Sequence, residues 1–407
     1  MFEKLKYLFS FKWFYIFLFI VLSIFTFWDE IVIGRETFKI MMEYRNDFNQ
    51  KSKLAVKHQK YNFLDIEGIS SMEDMITYTG KIEYIFFHPI ISEKERNIHR
   101  KSIDQKKFNN LFITIDEFKM CVQKLYENNY ILVNIDDIYK QVFIEGKWKI
   151  ERQTLKIPKG KKPVILFIDD LSYNSYMLNF ASSKLIVDES DSTIKSVIYE
   201  DGSLKFSSDS EMIPFLNNFV ENHPDFSLNN AKGVISLTGH EGVFGYNTGK
   251  FPRKDKDNLD TIRRLTKDIY DAKAVAEALK DKGWKFACHT YGYINFKNVT
   301  TDYIRNDIEN WFKYVSNIVG TTNIFVYPEG NFMNEDDERV KYLISNGFNI
   351  FCISGEGINK DSFKIKDHVN VYRDLICYET IKNCKKDFYK IFEDVIDLHK
   401  ITVSKKF

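Results

Sequence analysis

The feature that most constrains this chain is a recurring rhythm of short, wholly apolar runs that each end on polar residues. Val164-Ile165-Leu166-Phe167-Ile168 stops at Asp169-Asp170, Gly233 to Leu237 leads into Thr238-Gly239-His240, Trp284 to Cys288 reaches His289, Ile324-Phe325-Val326 reaches Tyr327-Pro328-Glu329-Gly330, and Ile350 to Ile353 reaches Ser354. Runs of this length without polar alternation read as strands buried on both faces, the signature of a parallel sheet. The segments between them carry helical periodicity. One amphipathic helix opens at Ile115 and stops at Asn128-Asn129, one covers Thr261 to Lys282 before Gly283, one starts at Thr301 and ends at Gly320, and one runs from Glu335 to Gly347. Earlier strands are expected at Tyr84 to Phe87 and Tyr130 to Val133, with a short helix at Asp136 to Tyr139 and a hairpin over 140–160. Strands alternating with helices imply parallel βα units. With this many strands, a closed or distorted barrel is expected rather than an open sheet. No GxGxxG follows the first strand, so a dinucleotide fold is not indicated.

The regular rhythm is interrupted once. After the Asp pair, Leu185 to Val187, Thr193 to Tyr199 and Leu204 to Phe206 alternate as strands, with Asp201-Gly202 as a tight turn, and a helix follows from Ser210 to Asn222. This marks a β-rich insertion over about residues 182–230.

The amino terminus carries a different signal. Trp13 to Trp28 is apolar apart from Ser23 and Thr26, Lys4, Lys6 and Lys12 precede it, and Asp29 and Glu30 follow. Phe25-Thr26-Phe27-Trp28 lacks the small residues of a cleavage site. The expectation is an uncleaved signal anchor over residues 1–35, with the amino terminus cytoplasmic and the rest outside the cell membrane. A polar stalk over 36–80 and a catalytic domain over 81–407 complete the organisation. With 58 basic and 57 acidic residues the chain has a formal charge of +1, and nothing in its charge pattern suggests nucleic acid. The five cysteines show no CxxC spacing and are read as structural thiols.

Adjacent carboxylates at the end of a buried strand are costly unless they bind a cation or share a proton. Asp and His from separate strand ends form a plausible metal site, and a carboxylate beside it could take a proton from water. His88-Pro89, after the strand at Tyr84 to Phe87, suits either a site mouth or a plain strand-end turn. Arg373 could bind a sugar or carboxylate oxygen through its guanidinium fork, or sit at the surface near Asp374. Tyr291 and Tyr327 could stack on a sugar ring or simply pack.

Taken together, the blocks Ile165 to Tyr173, Cys288 to Tyr293 and Val326 to Gly330 resemble the three main motifs of the polysaccharide deacetylases, the NodB-like carbohydrate esterases. Gly233 to Tyr246 is similar to a block of a membrane-anchored Gram-positive branch. The resemblance spans about residues 80–375. It implies an α/β fold, a NodB-like distorted (β/α) barrel, here with the N-terminal transmembrane anchor and the β-rich insertion. It also implies a hydrolase removing N-acetyl groups from a cell-wall or extracellular polysaccharide or peptidoglycan with the help of a divalent metal, zinc by preference. Asp169 would be the general base, Asp170 and His289 metal ligands, and Tyr327, Arg373 and Tyr291 substrate contacts. The chain departs from the family pattern at several points: Phe167-Ile168 stand where Thr-Phe usually precedes the Asp pair, and no terminal motif supplies the family's acid His, His399 being the only late candidate. Tyr293 stands where the family has its third ligand, a His. Val326 and Glu329 stand where it has an Arg and an aromatic residue. His240 is the expected substitute ligand. The alternative is a metal-free relative that keeps the groove and only binds glycan or scaffolds an envelope complex.

Overall fold

The computed structural model describes residues 32–49, 74–92, 111–173, 182–200, 203–249, 258–355, 366–383 and 387–395. The expected membrane anchor over Trp13 to Trp28, most of the stalk, and His399 lie outside the described residues. No helix among the described residues is long and apolar enough to cross a membrane.

Fifteen strands are present among the described residues. Those that build the scaffold are β2 (Glu83–Phe87), β7 (Lys162–Ile168), β11 (Gly233–Leu237), β12 (Trp284–Cys288), β13 (Ile324–Val326), β14 (Ile350–Ser354) and β15 (Val369–Leu375). They pair in parallel in the order β11-β12-β13-β14-β15-β2-β7, and a β7–β11 pairing, Val234 with Phe167 and Ile235 with Ile168, closes the ring. The barrel is therefore complete. A further strand, β3 (Tyr130–Leu132), extends β7 on its outer side.

The closed ring explains why the strands are apolar throughout. Successive side chains of a strand point to opposite faces, and here both faces are buried. Ile165 and Phe167 of β7 join Tyr84, Phe86, Val234, Val326, Cys352 and Val371 in the cluster that fills the barrel. Val164, Leu166 and Ile168 join the larger cluster beneath the helices. That outer layer is supplied by α1 (32–49), α2 (Ile115–Glu127), α3 (Met212–Asn222), α4 (Leu259–Asp281), α5 (Thr301–Trp311) and α6 (Glu338–Ser345). Thr114 and Glu117 form a capping box on α2, and Asn258 and Thr300 cap α4 and α5 through their side chains, which fixes where each helix begins.

The opposite end of the barrel is plugged. The hairpin of β4 (Tyr139–Ile144) and β5 (Lys147–Arg152), with the short pair β1 (Met75–Thr77) and β6 (Lys156–Pro158), contributes Tyr139, Ile150 and Ile157 to the inner cluster. The insertion forms a separate antiparallel sheet of β8 (Lys184–Val187), β9 (Ile194–Glu200) and β10 (Ser203–Ser207), as the alternation predicts. One local expectation differs. The short helix at Asp136 to Tyr139 is a single 3-10 turn over Ile135–Asp137, and Tyr139 already begins β4. The four described cysteines are buried free thiols.

Candidate functional site

The strand parity that builds the barrel also builds the site. Asp169 follows Ile165 and Phe167 in the inward set of β7, Ser236 follows Val234 on β11, and Arg373 follows Val371 on β15. Together they form the top layer of the barrel interior. The Arg373 guanidinium donates to both carboxylate oxygens of Asp169, at 2.8 and 2.9 Å, and Ser236 donates a third hydrogen bond at 2.9 Å. Arg373 is wholly buried and passes between the rings of Phe86 and Phe167, at 4.6 and 4.7 Å. Burial alone would push the Asp169 carboxyl up. The charge and hydrogen bonds of Arg373 outweigh that, helped by His289 and His88, and hold it below the usual carboxylate range.

Of the roles open to Arg373, the one found is binding of a carboxylate oxygen, that of Asp169; the surface position and the implied substrate contact are corrected, because the residue is wholly buried. Val326, where the resemblance implies an Arg, is apolar and buried in the barrel, and Asp169 is held from β15 instead.

Above this layer lies a cavity of about 370 Å³ lined by His88, Pro89, Leu111, Phe112, Asp170, His240, His289, Gly292 and Tyr293. Asp170 breaks the strand parity through a left-handed backbone at φ 55°, which aims it into this space, and Thr238 donates to it at 2.9 Å. Thr290, Tyr293 and Glu329 share that left-handed conformation. Each of the three motif loops thus carries a non-glycine residue in a sparsely populated region, a concentration of strain typical of functional loops.

Two imidazoles are oriented alike. His289 Nδ1 lies 3.0 Å from the Val326 carbonyl and His88 Nδ1 lies 3.1 Å from the Leu111 carbonyl. A carbonyl can only accept, so each Nδ1 carries a proton, and each ring is held with Nε2 on its far side. Burial lowers the His88 pKa, opposed by the charges of Asp169 and Asp170, so the neutral form prevails at neutral pH. The sequence leaves His88 either at a site mouth or in a plain strand-end turn. The structure makes it part of the wall.

The remaining candidates divide. Tyr327 points outward, because Val326 takes the inward position of β13. It is 2% exposed and packs on Phe296, Phe325 and Phe351. It is a core residue, not a substrate contact. Tyr291 packs on Tyr314, and its carbonyl accepts the N–H groups of both Gly239 and His240, tying two loops together outside the cavity. A side chain on Gly239 would collide with Val315 and Tyr291, which accounts for the glycine.

The donor set meets only part of what a divalent metal requires. His289 offers Nε2 on a ring held by the Val326 carbonyl, and Asp170 offers a carboxylate, both as a zinc site needs. Tyr293 fills the third position. Its ring meets His289 edge-on at 5.2 Å, and burial with the charges of Asp170, Asp169 and Glu329 pushes its hydroxyl up to about 12, so it is a neutral phenol. His240 lines the same cavity, but its Nε2 lies 3.9 Å from Glu241 and its side chain is 36% exposed. No three His, Cys, Asp or Glu side chains among the described residues come close enough to share an ion. The expected replacement by His240 is not realised, and the residues present do not make a three-donor zinc site.

Comparison with known proteins supports the motif resemblance. Residues 254–349 match the family model described as polysaccharide deacetylase, a stretch that holds His289, Tyr293 and Glu329 but not the Asp pair. No curated protein matches the chain. Among solved structures, a deacetylase from Streptococcus pyogenes is 15% identical with a TM-score of 0.41, covering 75% of this chain and 99% of its own. A polysaccharide deacetylase from Bacillus cereus is 12% identical with a TM-score of 0.40, covering 78% and 69%. A pseudoenzyme of carbohydrate esterase family 4 from Bacillus anthracis is 13% identical with a TM-score of 0.24, covering 54% and 85%.

Proposed function

We propose, taking the resemblance to polysaccharide deacetylases as the premise, that this chain hydrolyses N-acetyl groups on an amino-sugar polymer of the cell wall or extracellular matrix. The observation that carries this is the pairing of a clamped carboxylate, Asp169, with a neutral imidazole, His88, at a cavity large enough for one sugar substituent. The reaction follows from what these groups can do. His88 Nε2 takes a proton from a water molecule as its oxygen attacks the acetyl carbonyl carbon. The Asp169 charge stabilises the imidazolium that forms. The neutral Tyr293 hydroxyl accepts a hydrogen bond from the Glu329 backbone and can donate its own proton toward the developing oxyanion. The imidazolium then returns its proton to the leaving nitrogen, the C–N bond breaks, and acetate and the free amine result. Asp169 serves as fixed counter-charge in this scheme, because both its oxygens are already engaged. Asp170 and His289 orient the water or the substrate.

A second reading rests on a specific observation. Tyr293 in the ligand position and a base tied down by Arg373 also describe a site that has kept its groove and lost its chemistry. Acetate release from N-acetylglucosamine oligomers and from peptidoglycan, measured with and without added zinc, separates the two. Release above the uncatalysed rate supports the hydrolase. Oligomer binding without release supports the glycan-binding reading.

The apolar run Trp13 to Trp28, with lysines before and acids after, supports a single-pass anchor that places the barrel outside the cell membrane. A cysteine introduced in residues 36–60 and labelled by an impermeant reagent in intact cells tests this. Protection from the reagent contradicts it.

A further inference from the structure

Glu329 is a carboxylate near the cavity that the proposed reaction does not use, and its surroundings are built. It is exposed, yet one oxygen is held from two sides. Asn295 Nδ2 donates to Oε2 at 2.7 Å and Asn331 Nδ2 donates to the same atom at 3.0 Å. Asn295 is itself locked, because its Oδ1 accepts the Lys297 N–H at 3.0 Å. Among the described residues, Oε1 has no hydrogen-bond partner and Glu329 makes no salt bridge. Its backbone N–H bonds the hydroxyl of Tyr293, a cavity-lining residue, so the turn that carries Glu329 adjoins the cavity wall. Phe332, on the same turn, is 40% exposed.

An ordinary surface glutamate swings freely and loses side-chain entropy on binding anything. Glu329 has lost that freedom already, at a backbone φ of 55°. What remains is a fixed acceptor that cannot donate. Its best partner is a cationic donor, since a charge-assisted hydrogen bond is about twice as strong as a neutral one.

We propose that Glu329, framed by Asn295 and Asn331, is a subsite for an ammonium-bearing sugar unit, an amino sugar already deacetylated, beside the unit whose acetyl group enters the cavity. This rests on the deacetylase reading. Each turnover converts an amide into an amine that is protonated at neutral pH, so the product of one step becomes the ligand of the next. Partially deacetylated chains are then the preferred substrates. Polyanionic polymers are disfavoured by the same carboxylate together with Asp170.

The test measures binding of a glucosamine tetramer and an N-acetylglucosamine tetramer to the full chain in detergent, by calorimetry at low and at 0.5 M salt. The wild type binds the glucosamine tetramer about 10-fold more tightly at low salt, and the preference shrinks at high salt. Glu329→Gln brings the ratio of the two affinities near unity, and Glu329→Asp, which keeps the charge, retains part of it. Equal binding of the two tetramers by the wild type, no binding of either, or a preference undiminished in Glu329→Gln overturns the subsite. Acetate release from the acetylated tetramer is read separately. Release without a binding preference leaves the deacetylase reading standing and removes the subsite. A preference without release supports the subsite and removes the reaction.

Discussion

Arg373 and Asp169 form a bidentate ion pair inside a closed barrel, with the arginine wholly buried and its fork closed at 2.8 and 2.9 Å. The two residues lie 204 positions apart, on strands separated by β2. The pair is the foundation on which the cavity above it rests. It fixes a negative charge beneath two imidazoles, and it keeps that charge from being neutralised by protonation.

Removing one partner leaves an uncompensated buried charge, which costs on the order of 3–5 kcal/mol. Arg373→Met is therefore expected to lower unfolding free energy by about that amount in urea titration. Adding Asp169→Leu to it removes the orphaned charge and recovers most of the loss. A double variant as unstable as the single one would show that the pair is not what Arg373 stabilises.

Tyr293→His places a third strong donor beside Asp170 and His289. Zinc affinity by titration is expected to rise at least ~10-fold over wild type. His240→Ala is expected to leave the weak wild-type affinity where it was. Loss of zinc binding in His240→Ala would restore His240 as a ligand.

Much of this was legible in the sequence, for a physical reason. Strands buried on both faces have no polar alternation, so β7, β11, β12, β13 and β14 show as plain apolar runs, and their ends show as polar breaks. Asp170, His289 and His240 were found that way, and all three line one cavity. What stayed hidden was side-chain direction. Asn370-Val371-Tyr372 gives no hint by itself that Arg373 turns inward, because β15 is only half apolar. Direction depends on parity counted from a residue known to be inside. That count makes Tyr327 an outward core residue and Arg373 an inward one, so neither is the substrate contact that the resemblance implied. The missing third donor was legible, as Tyr293. The question of what substitutes for it was not, because it depends on distances between loops.

Glu211 supplies a pH dependence away from the site. It is buried, accepts the Met212 N–H at 2.7 Å at the start of α3, and burial raises its pKa to about 7 despite that bond and the nearby Tyr173 hydroxyl. The folded state then binds a proton that the unfolded state releases near pH 4.5. This group's contribution is fully present below the unfolded value and is lost as pH rises to about 7. Urea titrations at pH 5 and pH 7.5 are expected to show a fall of a few kcal/mol that Glu211→Gln largely removes. A Glu211→Gln variant with the same pH slope as wild type would place the dependence elsewhere.

The central claim is that His88 moves the proton in this cavity. The most direct measurement is acetate release from an N-acetylglucosamine oligomer by wild type, His88→Gln and Asp169→Asn, across pH 5–9. The account predicts a rate that rises with the deprotonation of one group in wild type. His88→Gln should lose about 10²–10⁴-fold and show a flat profile, while its far-UV spectrum and urea midpoint stay close to wild type. Asp169→Asn should keep a pH-dependent rate, with the midpoint moved to lower pH because the imidazolium has lost its counter-charge. A His88→Gln enzyme with wild-type rate and wild-type profile would contradict the account.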